Sequence, residues 1–367
     1  MSRLQTYRPE KQIIRDPRTG REVVQLTAGE GENWGAYASL TPFSADERYY
    51  VFNSNRTGRW EIYRVEIASG EITQLSDRED VRRETLNVAP PGREVFYTAG
   101  NRIWAVDIAT GEERCAVDAT TIAEGQVHSY LTFSPDGSKV LMMYRTASGK
   151  GSVVAVAATD GSFIQPVYRN EEGLQHPRWV PADPRTASVS VNADRQNKPD
   201  ETPERRARSW QLDLETGKAF PLLIMPPGWR CTHEYWAPDG SRIYAHRKHV
   251  PNWTPASIVS VPKGGGPITT HYTDTELLLG HSGVSADGRR IVIDVQKPND
   301  NPLLLLDLAS GRAETLCWPN VGVSVKASTY GAHAHPSFSP SGRWAAFTSD
   351  RTGKPQVFLA DARPAGG

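Results

Sequence analysis

The sequence predicts an all-β protein, a seven-bladed β-propeller with four antiparallel strands in each blade. A turn motif of the type aromatic–Ser/Ala–Pro–Asp–Gly recurs seven times, at intervals of about 49 residues. A second hairpin turn, with Ser-Gly or Thr-Gly, follows the first in most copies. No segment has the periodicity of a long amphipathic helix. Two hairpins in each repeat amount to four strands, which is the composition of a propeller blade.

Each copy of the turn motif is expected to close the first hairpin of a blade. In such a turn, Pro fixes the backbone φ angle, Asp or Ser caps the turn, and Gly takes the positive φ. The apolar runs that flank the motif then form the paired strands. The seven copies begin at Phe43, Ala89, Phe133, Val180, Trp236, Val284 and Phe338.

The last blade is expected to take a strand from the beginning of the chain. The seventh repeat ends near Asp361 with almost no sequence left, whereas residues 16–27 read as the turn and outer strand that this repeat lacks. We therefore expect residues 20–27 to pair with the C-terminal blade, residues 337–361. Residues 1–367 then form a single propeller domain without an open sheet edge at the closure.

Composition and charge argue against several classes of protein. The 42 basic and 42 acidic side chains give a net charge of +0, which does not suit a generic nucleic-acid binder. No apolar run is long enough to span a membrane. The first residues lack the apolar core of a signal peptide, and three cysteines without a Cys-x-x-Cys pair suit a reducing compartment. We expect a cytoplasmic protein that binds neither nucleic acid nor membrane, and the sequence leaves its oligomeric state open.

Several catalytic motifs are missing from the sequence. There is no Gly-x-Ser-x-Gly, so the propeller does not accompany an α/β-hydrolase of that type. There is also neither a Gly-x-x-x-x-Gly-Lys-Ser/Thr nor a Gly-x-Gly-x-x-Gly motif. Nucleotide binding through either of these loops therefore has no support.

Six histidines hold equivalent positions in five consecutive repeats. Three lie seven residues before the glycine of their turn motif, two lie nine residues before it, and one holds the corresponding place in a copy without glycine. This is the start of the innermost strand of a blade, so we expect the six to converge on one mouth of the central channel. A lone histidine is better explained by a structural role, but six in register favour metal ligation, general-base chemistry or both. They are His128, His176, His233, His281, His333 and His335.

Cationic side chains are expected around the same mouth, because the loops after the second strand of each blade return to it. Arg56 and Arg145 lie in such loops. The polar segment 192–208 carries further arginines and a lysine, and it suits either a lid or an inert insertion. Any one of these charges is better explained as a solvated loop residue, but together they indicate an anionic ligand.

Three segments resemble the oligogalacturonate lyases, a family of polysaccharide lyases that are seven-bladed propellers. Residues 232–240 read Thr-His-Glu-Tyr-Trp-Ala-Pro-Asp-Gly, residues 281–296 end in Asp-Val-Gln, and residues 333–339 read His-Ala-His-Pro-Ser-Phe-Ser. The turn motif is common to many propellers, whereas the His-Glu-aromatic-Trp and His-x-His-Pro segments are more specific. The blade count and the spacing of the segments extend the resemblance over nearly the whole chain.

The resemblance implies a role for each matching residue. His233 matches the general base of the family, and Arg208 matches an active-site arginine. His281, His333 and His335 match three ligands of a divalent metal ion, which is Mn²⁺ in the characterised members.

One position departs from the pattern of the family. Tyr330 lies three residues before His333, where the family has a glutamine as a fourth protein ligand. This departure leaves the identity and the affinity of the metal open, and with them the choice of substrate. The side chains that we expect to contact the substrate are His176, Tyr330, Arg56 and Arg145.

The chemistry of a uronate lyase agrees with these residues. β-Elimination removes the proton on C5, next to the carboxylate, so it needs a cation on that carboxylate and a base of suitable pKa. We expect a lyase that cleaves short, anionic oligogalacturonates. Two alternatives stay open: a lyase for another uronate-containing glycan, with Tyr330 sharing the acid–base work, and a non-catalytic propeller that binds or scaffolds. A scaffold has no need of histidines in register on one rim.

Overall fold

The computed structural model describes residues 5–83, 85–191, 202–250, 252–296, 301–321 and 333–363. Within these ranges the chain forms 30 β-strands and a short 3₁₀ turn at Glu204–Arg206. No helix in the same ranges is long and apolar enough to cross a membrane. The all-β fold that the sequence predicts is therefore confirmed.

The strands form seven antiparallel sheets, which are the seven blades of a β-propeller, and a fifth strand extends blades one and seven. Blade one contains β1 (Thr6–Tyr7), β4 (Asn33–Trp34), β5 (Tyr49–Ser54), β6 (Glu61–Glu66) and β7 (Ile72–Gln74). Blade two contains β8 (Asn87–Val88), β9 (Glu94–Ala99), β10 (Arg102–Asp107) and β11 (Glu113–Asp118). Blade three contains β12 (Val127–Phe133), β13 (Lys139–Arg145), β14 (Ser152–Ala158) and β15 (Ile164–Asn170).

The remaining four blades follow in chain order, except that the first two strands of the last one come from the N-terminal segment. Blade four contains β16 (Leu174–Trp179), β17 (Thr186–Val191), β18 (Ser209–Asp213) and β19 (Ala219–Leu223). Blade five contains β20 (Trp229–Trp236), β21 (Arg242–His249), β22 (Ala256–Pro262) and β23 (Thr269–Asp274). Blade six contains β24 (Leu279–Val284), β25 (Arg290–Val295), β26 (Leu303–Asp307) and β27 (Arg312–Cys317). Blade seven contains β2 (Gln12–Arg15), β3 (Glu22–Gln25), β28 (Ser337–Phe338), β29 (Trp344–Ser349) and β30 (Gln356–Asp361).

The turn motif forms the hairpin that the sequence predicts. In blade three, the Ser134 hydroxyl donates to Asp136 Oδ1 at 2.6 Å, and Gly137 takes a φ of 72°. The Gly137 amide donates to the Ser134 carbonyl oxygen at 2.9 Å. In blade one the equivalent hydrogen bond is donated by the Glu47 amide to the Ser44 carbonyl oxygen at 3.0 Å. Glu47 stands where the other turn has glycine, and it takes a positive φ of 54°. The serine–aspartate contact of that turn, between Ser44 and Asp46, also measures 2.6 Å, so this contact is present with or without the glycine.

The packed chain divides into two compact units. Blades one and seven and nearly all of blade six belong to the first unit, blades three, four and five belong to the second, and strands of blade two contribute to both. The three predicted metal ligands lie in the first unit. His233 and Arg208 lie in the second.

Blade seven is completed by the N-terminal segment, as the sequence predicts. β3 lies between β2 and β30, and Val24 pairs with Leu359. The ladder continues beyond β3 with a hydrogen bond from the Leu26 amide to the Val357 carbonyl oxygen at 2.8 Å. β3 falls inside the predicted residues 20–27, whereas β1 and β2 were not predicted.

The closing strand is buried on both of its faces. Val23 packs in one apolar core with Phe347 and Phe358, and Val24 packs in another with Phe52 and Trp344. Because alternate side chains of a strand point to opposite faces, one short strand contributes to both cores. The closure is therefore stabilised by packing as well as by backbone hydrogen bonds.

We expect Val24→Ala to lower the free energy of unfolding by about 2 kcal/mol, because the Val24 side chain is 3% exposed and its truncation leaves a cavity. Urea unfolding followed by circular dichroism measures the change. Ile13→Ala is the matched control, because Ile13 lies on the neighbouring strand β2 and is 65% exposed. Equal unfolding free energies for the two variants would contradict the claim that packing of the closing strand stabilises the fold.

Candidate functional site

Three histidines of the first unit come together, as the sequence predicts. His281 lies on β24, and His333 and His335 lie just before β28. A ring nitrogen from each of the three lies within 4.8 Å of the other two. His281 is buried, and the other two are half-buried. We call these three residues the histidine triad, and three converging imidazoles are a ligand set that suits borderline divalent metals.

A buried carboxylate, Asp294 on β25, orients the histidine triad. The His281 amide donates to Asp294 Oδ1 at 2.6 Å, and the Nδ1 atom of His281 lies 3.3 Å from Asp294 Oδ2. Asp294 Oδ2 also accepts a hydrogen bond from the His335 amide at 3.2 Å. A carboxylate that holds Nδ1–H leaves Nε2 as the ligand atom and fixes the ring. Gly280 permits this approach, because a Cβ atom there would lie 2.0 Å from Asp294 Oδ1.

The charges of this group suit metal binding at neutral pH. Burial by itself raises the pKa of Asp294, but attraction to His281 and the hydrogen bonds from it lower that pKa overall. Asp294 is therefore ionised. Burial lowers the pKa of His335 well below its ordinary value, and the neighbouring His281 adds to the effect. His335 is thus neutral, which is the form of imidazole that ligates a metal.

An aromatic side chain from blade one flanks the histidine triad. The Tyr37 ring meets His281 edge-on with centroids 5.8 Å apart, and its centroid lies 4.9 Å from that of His335. The sequence did not identify Tyr37 because blade one carries no histidine in this region. It did not identify the role of Asp294 either, although an acidic residue in an otherwise apolar strand (Ile-Val-Ile-Asp-Val) was a usable signal.

A second cluster, in the second unit, is built around Glu234. Arg208 Nε donates to Glu234 Oε1 at 2.8 Å, and both side chains are almost fully buried. Glu234 Oε2 accepts a hydrogen bond from the Ser190 hydroxyl at 3.0 Å and lies 3.6 Å from His176 Nδ1. Arg208 also donates to Gln175 Oε1. The structure thus brings together two predicted residues, Arg208 and His176, through a carboxylate that the sequence did not single out.

Burial and the Arg208–Glu234 ion pair together set the protonation states of this second cluster. Burial lowers the pKa of His176 to about 4, because the opposing effect of Glu234 is smaller than the cost of charging a buried ring. Burial alone raises the pKa of Glu234, but attraction to Arg208 lowers it overall. At neutral pH the cluster therefore holds an ionised Glu234–Arg208 pair and a neutral His176.

Backbone strain marks three of the six histidines in register. His176, His233 and His335 have φ angles of 51°, 58° and 46°, a region that side chains with a Cβ seldom adopt. A break in strand register accompanies the strain at His176 and His233. Bulges re-aim side chains, and strained residues that are not glycine cluster at functional sites. The His233 ring also meets the buried His246 ring edge-on, with centroids 5.8 Å apart.

Arg56 and Arg145, which the sequence predicts to contact the substrate, have different surroundings. Arg56 is held among structural partners: it pairs with Glu10 at 3.1 Å, donates to Asn33 Oδ1 at 3.1 Å and lies over the Tyr7 ring. Its side chain is 8% exposed, so substrate binding by Arg56 stays a prediction that these contacts disfavour. Arg145 ends β13, is half-buried and makes no side-chain hydrogen bond or ion pair with any residue that the structure describes.

Some predictions concern residues outside the described ranges. Tyr330 is one of them, and so is most of the segment 192–208. His128 is described, and its Nε2 atom lies 3.4 Å from the Ser152 hydroxyl. Whether the six histidines share one mouth of the channel stays a prediction.

Comparisons with known proteins extend over the whole chain. No protein-family model matches it. An oligogalacturonide lyase of Pectobacterium atrosepticum is 24% identical over an alignment of 374 positions, which covers 94% of this chain and 94% of that protein. An oligogalacturonate lyase of Dickeya dadantii is 23% identical with the same coverage. A solved structure of an oligogalacturonate lyase in complex with manganese superposes with a TM-score of 0.87 and 20% identity, over 100% of this chain and 99% of that one.

We expect Asp294→Asn to weaken the binding of a divalent ion by about 10- to 100-fold, because the ring of His281 loses its orienting acceptor. Calorimetric titration with Mn²⁺ measures the change without any assay of activity. Asp307→Asn is the control, since it removes an exposed carboxylate from the same blade. Unchanged affinity in Asp294→Asn would show that the carboxylate does not organise a metal site.

Proposed function

We propose, from the premise that this chain is a distant homologue of the oligogalacturonate lyases, that it cleaves short oligogalacturonates by metal-assisted β-elimination. The observation that carries the proposal is the histidine triad with its orienting Asp294. Homology to these lyases over 94% of the chain supports the reaction class. A cytoplasmic enzyme of this kind would act on small imported fragments of pectin rather than on the polymer.

The proposed reaction has one main chemical difficulty. The C5 proton of a uronate is weakly acidic while the neighbouring carboxylate is charged, because its removal places further negative charge beside that carboxylate. A divalent ion held by His281, His333 and His335 would neutralise the carboxylate and stabilise the charge that develops. Three imidazoles suit Mn, Fe, Ni and Zn, and we propose Mn²⁺ because a related lyase binds it.

His233 is the proposed general base. An unprotonated imidazole can accept the C5 proton. Its backbone is held in a strained conformation, and the next residue, Glu234, is fixed by Arg208. Strand β20 therefore presents the imidazole from a rigid support, which favours a defined geometry for proton transfer.

Arg208 is the proposed partner of a substrate carboxylate. Its Nε atom is engaged by Glu234, and its terminal nitrogens donate to Gln175 Oε1 and to the Val191 carbonyl oxygen, so substrate would replace neutral acceptors rather than an ion pair. The assignment of Arg208, His233 and the histidine triad to one reaction comes from the resemblance of their motifs to the family.

Each of the variants His281→Ala, His333→Ala and His335→Ala is expected to lose bound metal, because each removes one of three ligand atoms. Elemental analysis of protein dialysed against Mn²⁺ gives the metal content. His271→Ala is a control, because His271 lies on the outer strand β23 and contacts Ser260 at 2.8 Å. Full metal content in all three triad variants would remove the metal centre from the proposal.

His233→Ala is expected to lower the rate of elimination by at least about 10²-fold while metal content and thermal stability stay unchanged, because a general base acts on the barrier. The assay is the rise in ultraviolet absorbance of the conjugated double bond in the product, with oligogalacturonate and Mn²⁺. No product from the wild-type protein would overturn the proposed function. Full activity in His233→Ala would move the base to another residue.

A further inference from the structure

Arg178 is a buried arginine that has no anionic partner among the described residues. It lies on β16, two residues after His176, and only 6% of it is exposed. Its Nε atom is buried without a hydrogen-bond acceptor, and its side chain makes no hydrogen bond or ion pair with any residue in the described ranges. Its guanidinium lies over the Tyr130 ring, whose centroid is 4.9 Å from the Arg178 Cζ atom.

This arrangement costs free energy in the absence of a ligand. A buried charge is normally paired, since removing it from water is unfavourable, and stacking on an aromatic face compensates only part of that cost. The neighbouring Arg208 shows the usual solution, because Glu234 pairs with it at 2.8 Å. In the described part of this cluster, two guanidiniums therefore accompany one carboxylate, and that carboxylate pairs with Arg208 rather than with Arg178.

Arg178 belongs to the same cluster as the predicted site residues. The Tyr130 ring that it covers is also stacked with the His176 ring, at 5.7 Å between centroids and 17° between planes. His176 in turn faces Glu234 at 3.6 Å, and Glu234 holds Arg208. The unpaired guanidinium is thus one end of a continuous chain of contacts that reaches the proposed carboxylate-binding arginine.

The backbone on either side of Arg178 is fixed by blade three. The Thr132 hydroxyl donates to the Pro177 carbonyl oxygen at 3.3 Å and accepts from the Trp179 amide at 3.0 Å. These two bonds bracket Arg178, and Tyr130 supports the guanidinium itself. A charged group held in this way loses little further freedom when it binds a ligand.

We propose that Arg178 binds a uronate carboxylate of the substrate and makes the enzyme selective for unesterified oligomers. The identity of the ligand, a uronate carboxylate, rests on the function proposed above. A guanidinium presents a planar fork of donors that matches a carboxylate in a bidentate contact. A methyl ester carries no charge and would leave the buried guanidinium unpaired, and sites with such unpaired groups reject the analogue that lacks the partner.

The test compares Arg178→Gln with Arg185→Gln. Arg185 is a matched control in the same blade, because its side chain is 59% exposed and pairs with Glu215 at the surface. We expect Arg178→Gln to lose about 10²-fold in kcat/KM on trigalacturonate and much less on its methyl ester. Arg185→Gln keeps the wild-type preference. Arg178→Lys, which retains the charge without the fork, recovers part of the loss.

Thermal unfolding without substrate separates binding from structure. We expect the Tm of Arg178→Gln to equal or exceed that of the wild type, because the variant removes an unpaired buried charge. A lower Tm together with an equal loss on acid and ester would assign Arg178 a structural role and overturn the proposal.

Direct binding keeps this test independent of catalysis. Calorimetric titration of the Mn²⁺-loaded protein with galacturonate compares Arg178→Gln with Arg185→Gln whether or not the wild type catalyses elimination. Weaker binding in Arg178→Gln, with unchanged binding in Arg185→Gln, supports the carboxylate contact. This result stands even if the wild type shows no turnover and the proposed lyase activity is overturned. Equal binding in the two variants, or equal preference for acid over ester, overturns the role of Arg178.

Discussion

The backbone hydrogen bond that closes the first turn of each blade is the interaction on which the site depends. In blade five it runs from the Gly240 amide to the Ala237 carbonyl oxygen at 2.9 Å, and the equivalent bonds of blades six and seven, donated by Gly288 and Gly342, both measure 2.8 Å. The turn fixes the pairing of the two innermost strands, and a shift of one residue would send every side chain of a strand to the opposite face. A histidine placed seven residues before the glycine of the turn keeps its orientation only because that register is fixed.

In each of the two units, a buried carboxylate faces a histidine ring. Asp294 and Glu234 are each almost fully buried, and each faces an imidazole while backbone or side-chain donors saturate its oxygens. Such groups are costly to bury and strongly organising once they are paired. The histidines beside them are held in one orientation, and both clusters owe their geometry to side chains that touch no ligand in the proposed mechanism.

Features that repeat along the chain were predictable from the sequence, and features that depend on contact between distant strands were not. The seven turns follow from a period that can be counted, and the closing strand follows from the incomplete last repeat. The grouping of His281, His333 and His335 was implied by the resemblance of their motifs to a known family. The two-residue strand β1 has no pattern of its own, because it exists only as a partner of β7. The role of Asp294 depends on its approach to Gly280, and the positive φ of His233 depends on a bulge against β21. A spacing argument contains none of this information.

The closing strand also sets an order of events during synthesis. Thr27 and Val357, which meet through a hydrogen bond in the finished blade, are 330 residues apart. A ribosome that adds about 5–20 residues each second makes the second partner some 20–70 s after the first. For that interval β3, with its apolar valines, can pair only with β2, and its other edge stays open to pairing with other nascent chains. The segment that completes blade seven thus waits for its second partner strand through nearly the whole of synthesis.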